Sequence, residues 1–214
     1  MTKRWIWAQK LELAWWKHYL RSKPIDEYLA WKKNYWHHVF DLLKPQLCLY
    51  PTTKILDAGC GPAGVFIAVD TRYITAIDPL IDSYNDTLLH FKKTMYPHVR
   101  FSSKTLEDFN ESNSYDVVFC MNAINHVKNI KQAMQNTINA AKPGGIIIIG
   151  IDAHNFKWAK FLFRLLPGDV LHPHQYDLKE YVNMIKQCGC TIEKRMFHKK
   201  EFWFNHYFIL AKKL

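Results

Sequence analysis

Residues 54–64 read KILDAGCGPAG, and this stretch decides the fold. A short apolar run reaches Asp57 and Ala58, then breaks at Gly59-Cys60-Gly61-Pro62-Ala63-Gly64, which fits G-x-G-x-x-G after a strand and is expected to open a helix. The runs YITAID (73–78), VRFSS (99–103), YDVVFC (115–120) and GGIIIIGID (144–152) repeat the β-rich pattern. Their spacing leaves room for a crossover helix between successive strands, so βαβ units and a parallel sheet are expected. Two further runs, CTIEKRMF (190–197) and FWFNHYFIL (202–210), are close enough to pair antiparallel and end the sheet. A helix is expected from about Asp177 to Cys188, after an insertion-like stretch at 153–176.

Before the sheet the composition changes. Six of the eight tryptophans, Trp5, Trp7, Trp15, Trp16, Trp31 and Trp36, lie in the first 36 residues. At 100° per residue Lys3, Lys10, Lys17 and Arg21 share one helical face, while Trp5, Ala8, Trp15, Trp16 and Tyr19 share the other. Pro24 interrupts this helix. A second, from about Asp26 to Pro45, carries the stripe Tyr28, Trp31, Tyr35, Val39 and Leu42. Residues 1–45 are therefore expected to form a helical cap or lid on a domain spanning 46–214.

The chain of 214 residues is 49% apolar and 22% charged, which fits one globular domain with a small cap and excludes a disordered or low-complexity chain. No apolar run is long enough to span a membrane and no secretory leader is seen, so a cytoplasmic location is expected. Five cysteines without a CxxC pair suggest neither a disulfide framework nor a zinc site, and no metal is expected. The net charge of +10 comes from dispersed lysines and arginines, read as a solvated basic surface.

The glycine motif alone would also suit a dinucleotide, with Asp78 fourteen residues beyond Gly64 to hold a ribose. Asp57 separates the two readings, because a carboxylate two residues before the first glycine would repel a pyrophosphate. S-adenosylmethionine carries an ammonium and a sulfonium instead, and its ribose can still be held by Asp78. Glycine at 59 and 61 lets the backbone approach the ligand.

LDAGCGPAG, AIDP, TLEDF, YDVVFCMNAINHV and AAKPGGIIIIGI resemble, in that order, the motifs of class I S-adenosylmethionine-dependent methyltransferases, especially the type 11 group. The resemblance implies a Rossmann-like α/β fold with a seven-stranded sheet of order 3-2-1-4-5-7-6, strand seven antiparallel. It places the cofactor's methionine end on Asp57, Gly59 and Gly61, the ribose on Asp78, and the adenine near Pro79 and by Thr105 and Leu106. Thr105 stands where the family usually has an acid, which leaves the backbone amide of Leu106. Cys120 and Met121 would flank the sulfur.

Methyl transfer depends chiefly on positioning, with a base needed only when the acceptor must lose a proton. His126, expected at a helix entry after the fourth strand, and His154 are the candidate bases. No carboxylate pair is evident in the sequence. Asn122, Asn125, His174, Tyr176 and Glu12, the last within the aromatic helix face, are candidate substrate contacts. A small aromatic or amphipathic acceptor, methylated on O or N, is the expected partner. The alternatives are an RNA or DNA methyltransferase, disfavoured because CMNA replaces the N/D-P-P-Y/F run, and a non-catalytic interaction protein. A homodimer through residues 1–40 is the alternative use of the aromatic helices, and stable membrane insertion is not expected.

Overall fold

The computed structural model describes residues 3–154, 176–200, 202 and 204–214, with only the backbone of Lys3, Arg4 and His154. His174 and most of the insertion-like stretch lie outside the described residues. Seven strands form one sheet of order β3-β2-β1-β4-β5-β7-β6: β1 Ile55–Ala58, β2 Ile74–Ile77, β3 Val99–Ser102, β4 Tyr115–Met121, β5 Ala141–His154, β6 Cys190–Lys200 and β7 Phe204–Lys213. Strands β1 to β5 pair in parallel, and β7 runs antiparallel between β5 and β6. The expected order is the observed one.

Each face of the sheet has its own core. On one, Ile147, Ile149 and Ile151 of β5 pack with Leu56, Val118 and Ile209 under helices α4 (Ile130–Ala140) and α5 (Leu178–Gln187). Side-chain alternation along β5 sends Ile148 to the opposite core. Both helices start on side-chain caps: Asn129 accepts from Gln132 N, and Asp177 forms a capping box with Glu180.

The other face is richer in aromatics and is covered by α1 (Lys3–Leu20), α2 (Ile25–Leu43) and α3 (Ile81–Thr87). Leu20, Tyr28, Trp36, Val39 and Leu43 are buried in the same core as Ile55, Phe119 and Phe208, so the amino-terminal helices share the sheet's core. The indole N–H of Trp36 donates to Ala63 O at 3.2 Å, and Lys194 Nζ donates to Leu42 O at 3.2 Å, tying α2 to the glycine loop and to β6.

Two expectations are corrected. The buried stripe of α2 contains Trp36 and Leu43, while Trp31 is 53% exposed. The glycine loop opens no α-helix. Two 3-10 turns, Gly61–Ala63 and Val65–Ile67, connect it toward β2. Pro62 removes an N–H donor, and Gly64 is extended at ψ −171, which interrupts any continuous helix there.

Candidate functional site

The carboxyl ends of β1, β2 and β4 meet α1 and α2 around a cavity of about 530 Å³, the position at which open α/β sheets take ligands. Its floor is the glycine loop. Gly59 and Gly61 have φ of +72° and +56°, and a Cβ on Gly59 would collide with Cβ of Ala123. The loop's amides are already used inside the protein: Gly59 N and Cys60 N donate to Ile77 O at 2.8 and 3.0 Å, and Gly61 N donates to Asp78 Oδ2 at 3.0 Å. With no helix N-terminus behind them, these amides are not free to cradle a pyrophosphate.

Asp78 lines the cavity, and its other oxygen accepts from Leu80 N at 2.8 Å. Glu12 reaches the same end from α1, accepting from Tyr84 Oη at 3.2 Å. The fold thus assembles the carboxylate pair that the sequence did not reveal. Burial, then the Glu12 charge, raises the pKa of Asp78, and burial raises that of Glu12. Beside them the Gln9 Oε1 is buried without a partner among the described residues. Two carboxylates and an orphaned acceptor at one end of a cavity call for a ligand that brings cationic and hydroxyl donors. S-adenosylmethionine supplies an ammonium, a sulfonium and ribose hydroxyls, so the residues present fit it.

Asp57 acts differently from expectation. It is absent from the cavity lining. It lies beneath the loop, 2% exposed, accepts from Phe66 N at 3.3 Å, and occupies the space a Cβ on Gly64 would need. Burial pushes its pKa up to about 7, against the lowering effect of the Phe66 and Val65 amides. It shapes the loop from below.

Pro79, Thr105, Leu106, Met121, Asn122 and His126 complete one wall. Thr105 is committed to a turn, donating to Asp108 Oδ2 at 2.7 Å and accepting from Asp108 N at 3.1 Å. His126 sits in the turn segment before α4, with its amide on Ala123 O at 3.0 Å, so the expected helix entry comes later, at Ile130. Asn122 adopts φ +54°, which turns the chain at the end of β4.

Three expected site residues leave the site. Cys120 is fully buried in the α4/α5 core, Asn125 accepts from Tyr181 Oη at 2.8 Å on that same side, and Tyr176 packs 5.7 Å from the Tyr181 ring. The side chain of His154 is not described. In their place the structure adds Trp5, Lys32, Tyr35 and Trp36 to the lining. Beyond Tyr35, Asp152 of β5 pairs with His206 of β7. Burial and the Asp152 charge raise the Tyr35 pKa. Among the described residues no cluster is placed to hold a metal ion, and no helix is long and apolar enough to cross a membrane.

Sheet order, glycine loop and the acid ending β2 are those of the fold shared by class I S-adenosylmethionine-dependent methyltransferases. Residues 55–145 match the family model described as Methyltransferase domain. A ubiquinone biosynthesis O-methyltransferase of Rickettsia bellii is 29% identical over 153 residues, covering 66% of this chain and 58% of that protein. Its namesake in Rickettsia canadensis is 35% identical over 98 residues, covering 45% and 41%. The chain thus spans less than two thirds of these relatives' length. Among solved structures, a magnesium protoporphyrin IX methyltransferase from Synechocystis PCC 6803 with bound S-adenosylhomocysteine superimposes with a TM-score of 0.59 at 16% identity, covering 85% of this chain and 83% of that one. A 1,6-didemethyltoxoflavin-N1-methyltransferase from Burkholderia thailandensis gives 0.59 at 13% identity, covering 98% and 88%. These likenesses concern the fold.

Proposed function

We propose that this chain transfers a methyl group from S-adenosylmethionine to an oxygen or nitrogen of a small aromatic or amphipathic molecule. The observation that carries the reading is a single cavity that joins the glycine cradle and Asp78 to a chamber walled by Trp5, Trp16 and Trp36, with Asn122 and His126 on its rim. The names of the Rickettsia relatives favour oxygen as the accepting atom.

When bound, the cofactor supplies an activated methyl group on a sulfonium. Asp78 and Glu12 would hold its ribose and cationic groups, Gly59 and Gly61 would admit its amino-acid end, and Pro79 and Leu106 would border the adenine. The tryptophans exclude water and orient a flat acceptor, which is where most of the acceleration in a methyl transfer arises. Asn122 would orient a polar acceptor atom, and His126 would take its proton when one must leave.

Calorimetry with S-adenosylhomocysteine and NAD tests the reading. Binding of the first at micromolar concentration without the second is the expected result. NAD binding in its place would overturn both the loop argument and the proposal.

A further inference from the structure

The cavity is bipolar. Glu12 and Asp78 occupy its α1/β2 end, and Glu107, also in the lining, is satisfied by donation from Lys128 N and Asn129 N at 2.7 and 2.9 Å. Lys32 of α2 belongs to the aromatic part of the lining, with Trp36 and Tyr35. Its ammonium lies 5.3 Å from the ring centroid of Trp31 and 5.2 Å from that of Tyr35, held against two π faces. Among the described residues it has no carboxylate within ion-pair distance and no hydrogen-bond acceptor, in contrast to the lysines at 44, 93 and 142. A cation withdrawn from water with no counter-charge is destabilising to the free protein. The lining leaves that charge available to a ligand.

On the basis of the methyltransferase reading above, we infer that Lys32 selects the acceptor: its ammonium receives an anionic oxygen, carboxylate or phenolate, borne by a planar aromatic ring that packs on the cavity's tryptophans. An acidic end for a cationic cofactor and a basic seat for an anionic acceptor keep each ligand out of the other's place by like-charge repulsion. The aromatic walls accept any flat ring, so the discriminating contact is the charged one. Burial pushes the Lys32 pKa down, which agrees with an ammonium lacking a carboxylate neighbour. A cation–π seat at a helix surface would explain a lysine lying on Trp31 alone. It does not explain why the same residue belongs to the lining of the cavity, beside Tyr35, whose ring its ammonium also faces.

The test uses the full chain and two pairs of probes, each titrated calorimetrically with and without S-adenosylhomocysteine. Naphthoate against naphthamide probes a carboxylate, and para-nitrophenolate against para-nitroanisole probes a phenolate at a pH where the phenol is ionised. The expected result is at least a tenfold preference for the anion in one pair, and the pair that shows it identifies the anionic group. Lys32→Met, close in length and uncharged, should abolish the preference while leaving the neutral probe's affinity unchanged, and Lys32→Arg should retain it. S-adenosylhomocysteine binding should be the same in all three proteins. Equal affinity for anion and neutral probe in the wild type overturns the assignment. So does a Lys32→Met protein that weakens both members of a pair alike or melts much lower, since Lys32 would then serve packing alone. Failure of S-adenosylhomocysteine to bind the wild type would instead defeat the methyltransferase reading, and the charge preference measured without it would remain readable.

Discussion

The two faces of the sheet are built from different materials. The α4/α5 face is mainly aliphatic and closed by capped helices, whereas the α1/α2 face is aromatic, roofed partly by 3-10 turns, and borders the cavity. Leucine, isoleucine and valine fill space with little directional demand. Large rings meet edge to face, as Phe66 does with Phe91, Tyr96 and Phe101 at 5.0 to 6.0 Å, and Trp16, Tyr35 and Trp36 of the same core line the cavity. The aliphatic face lends the cavity only Leu106, Ala123 and Val127, and the aromatic face supplies its rings.

The sharpest way to break this contrast is Ile149→Ala, which empties a fully buried site between β4 and β7. It should cost about 2–5 kcal/mol in denaturant unfolding, while the folded fraction keeps its S-adenosylhomocysteine affinity within about threefold. A large loss of affinity at matched folded concentration would show that the two faces are not separable. Next in size, Asp78→Ala removes the charged contact to the ribose proposed above, worth about 1.5–3 kcal/mol per hydrogen bond. Calorimetry should show S-adenosylhomocysteine affinity falling by about a hundredfold, and an unchanged value would remove Asp78 from the cofactor site. For His126→Ala, kcat with an acceptor that the enzyme turns over should drop about a hundredfold with cofactor affinity intact, as expected of a lost general base. His126→Gln restoring the rate would assign orientation rather than proton transfer.

The smallest effect is read in pH. Asp57, held up to about 7 against an ordinary 3.8, and Asp78, also raised, bind protons more tightly in the folded chain than in the unfolded one. Between about pH 4 and 7 the folded state therefore carries the excess protons, and stability contributed by these groups falls as pH rises through that window. The melting temperature of the ligand-free protein should decline by several degrees between about pH 5 and 8. A rise across the same interval would mean that both carboxylates are ionised in the folded protein throughout.

The strands and the start of α5 were legible in the sequence because continuous apolar runs such as 146–151 and the cap at Asp177 are local signals, while the strand order came with the resemblance to the methyltransferase motifs. The crossover after the glycine loop was not. Pro62, the extended Gly64 and the buried Asp57 carboxylate together favour 3-10 turns, and the last acts by turning under the loop, which no linear spacing displays. On α2, Trp31 and Trp36 are equally apolar on paper, and the choice falls to an acceptor, Ala63 O, 27 residues away. Asn125 is claimed by Tyr181, 56 residues distant, which no spacing rule anticipates. Lys32 read as one of many dispersed lysines, since only the packing of α2 over the cavity distinguishes it.

The indole of Trp16 gives the molecule an optical gauge of its own state. Its ring edge stands where a Cβ on Gly61 would come within 3.7 Å, and the ring meets Trp15 edge-on at 4.9 Å. Filling the cradle changes the polarity around one chromophore of a tightly spaced pair, so intrinsic emission and near-ultraviolet dichroism report occupancy without a label. Trp7 and Trp31, 62% and 53% exposed and outside the cavity lining, supply a solvent-facing background that a soluble quencher can remove. The change in emission on filling the cradle is then read against a lower background, and a panel of unlabelled compounds could be screened against that signal in native protein.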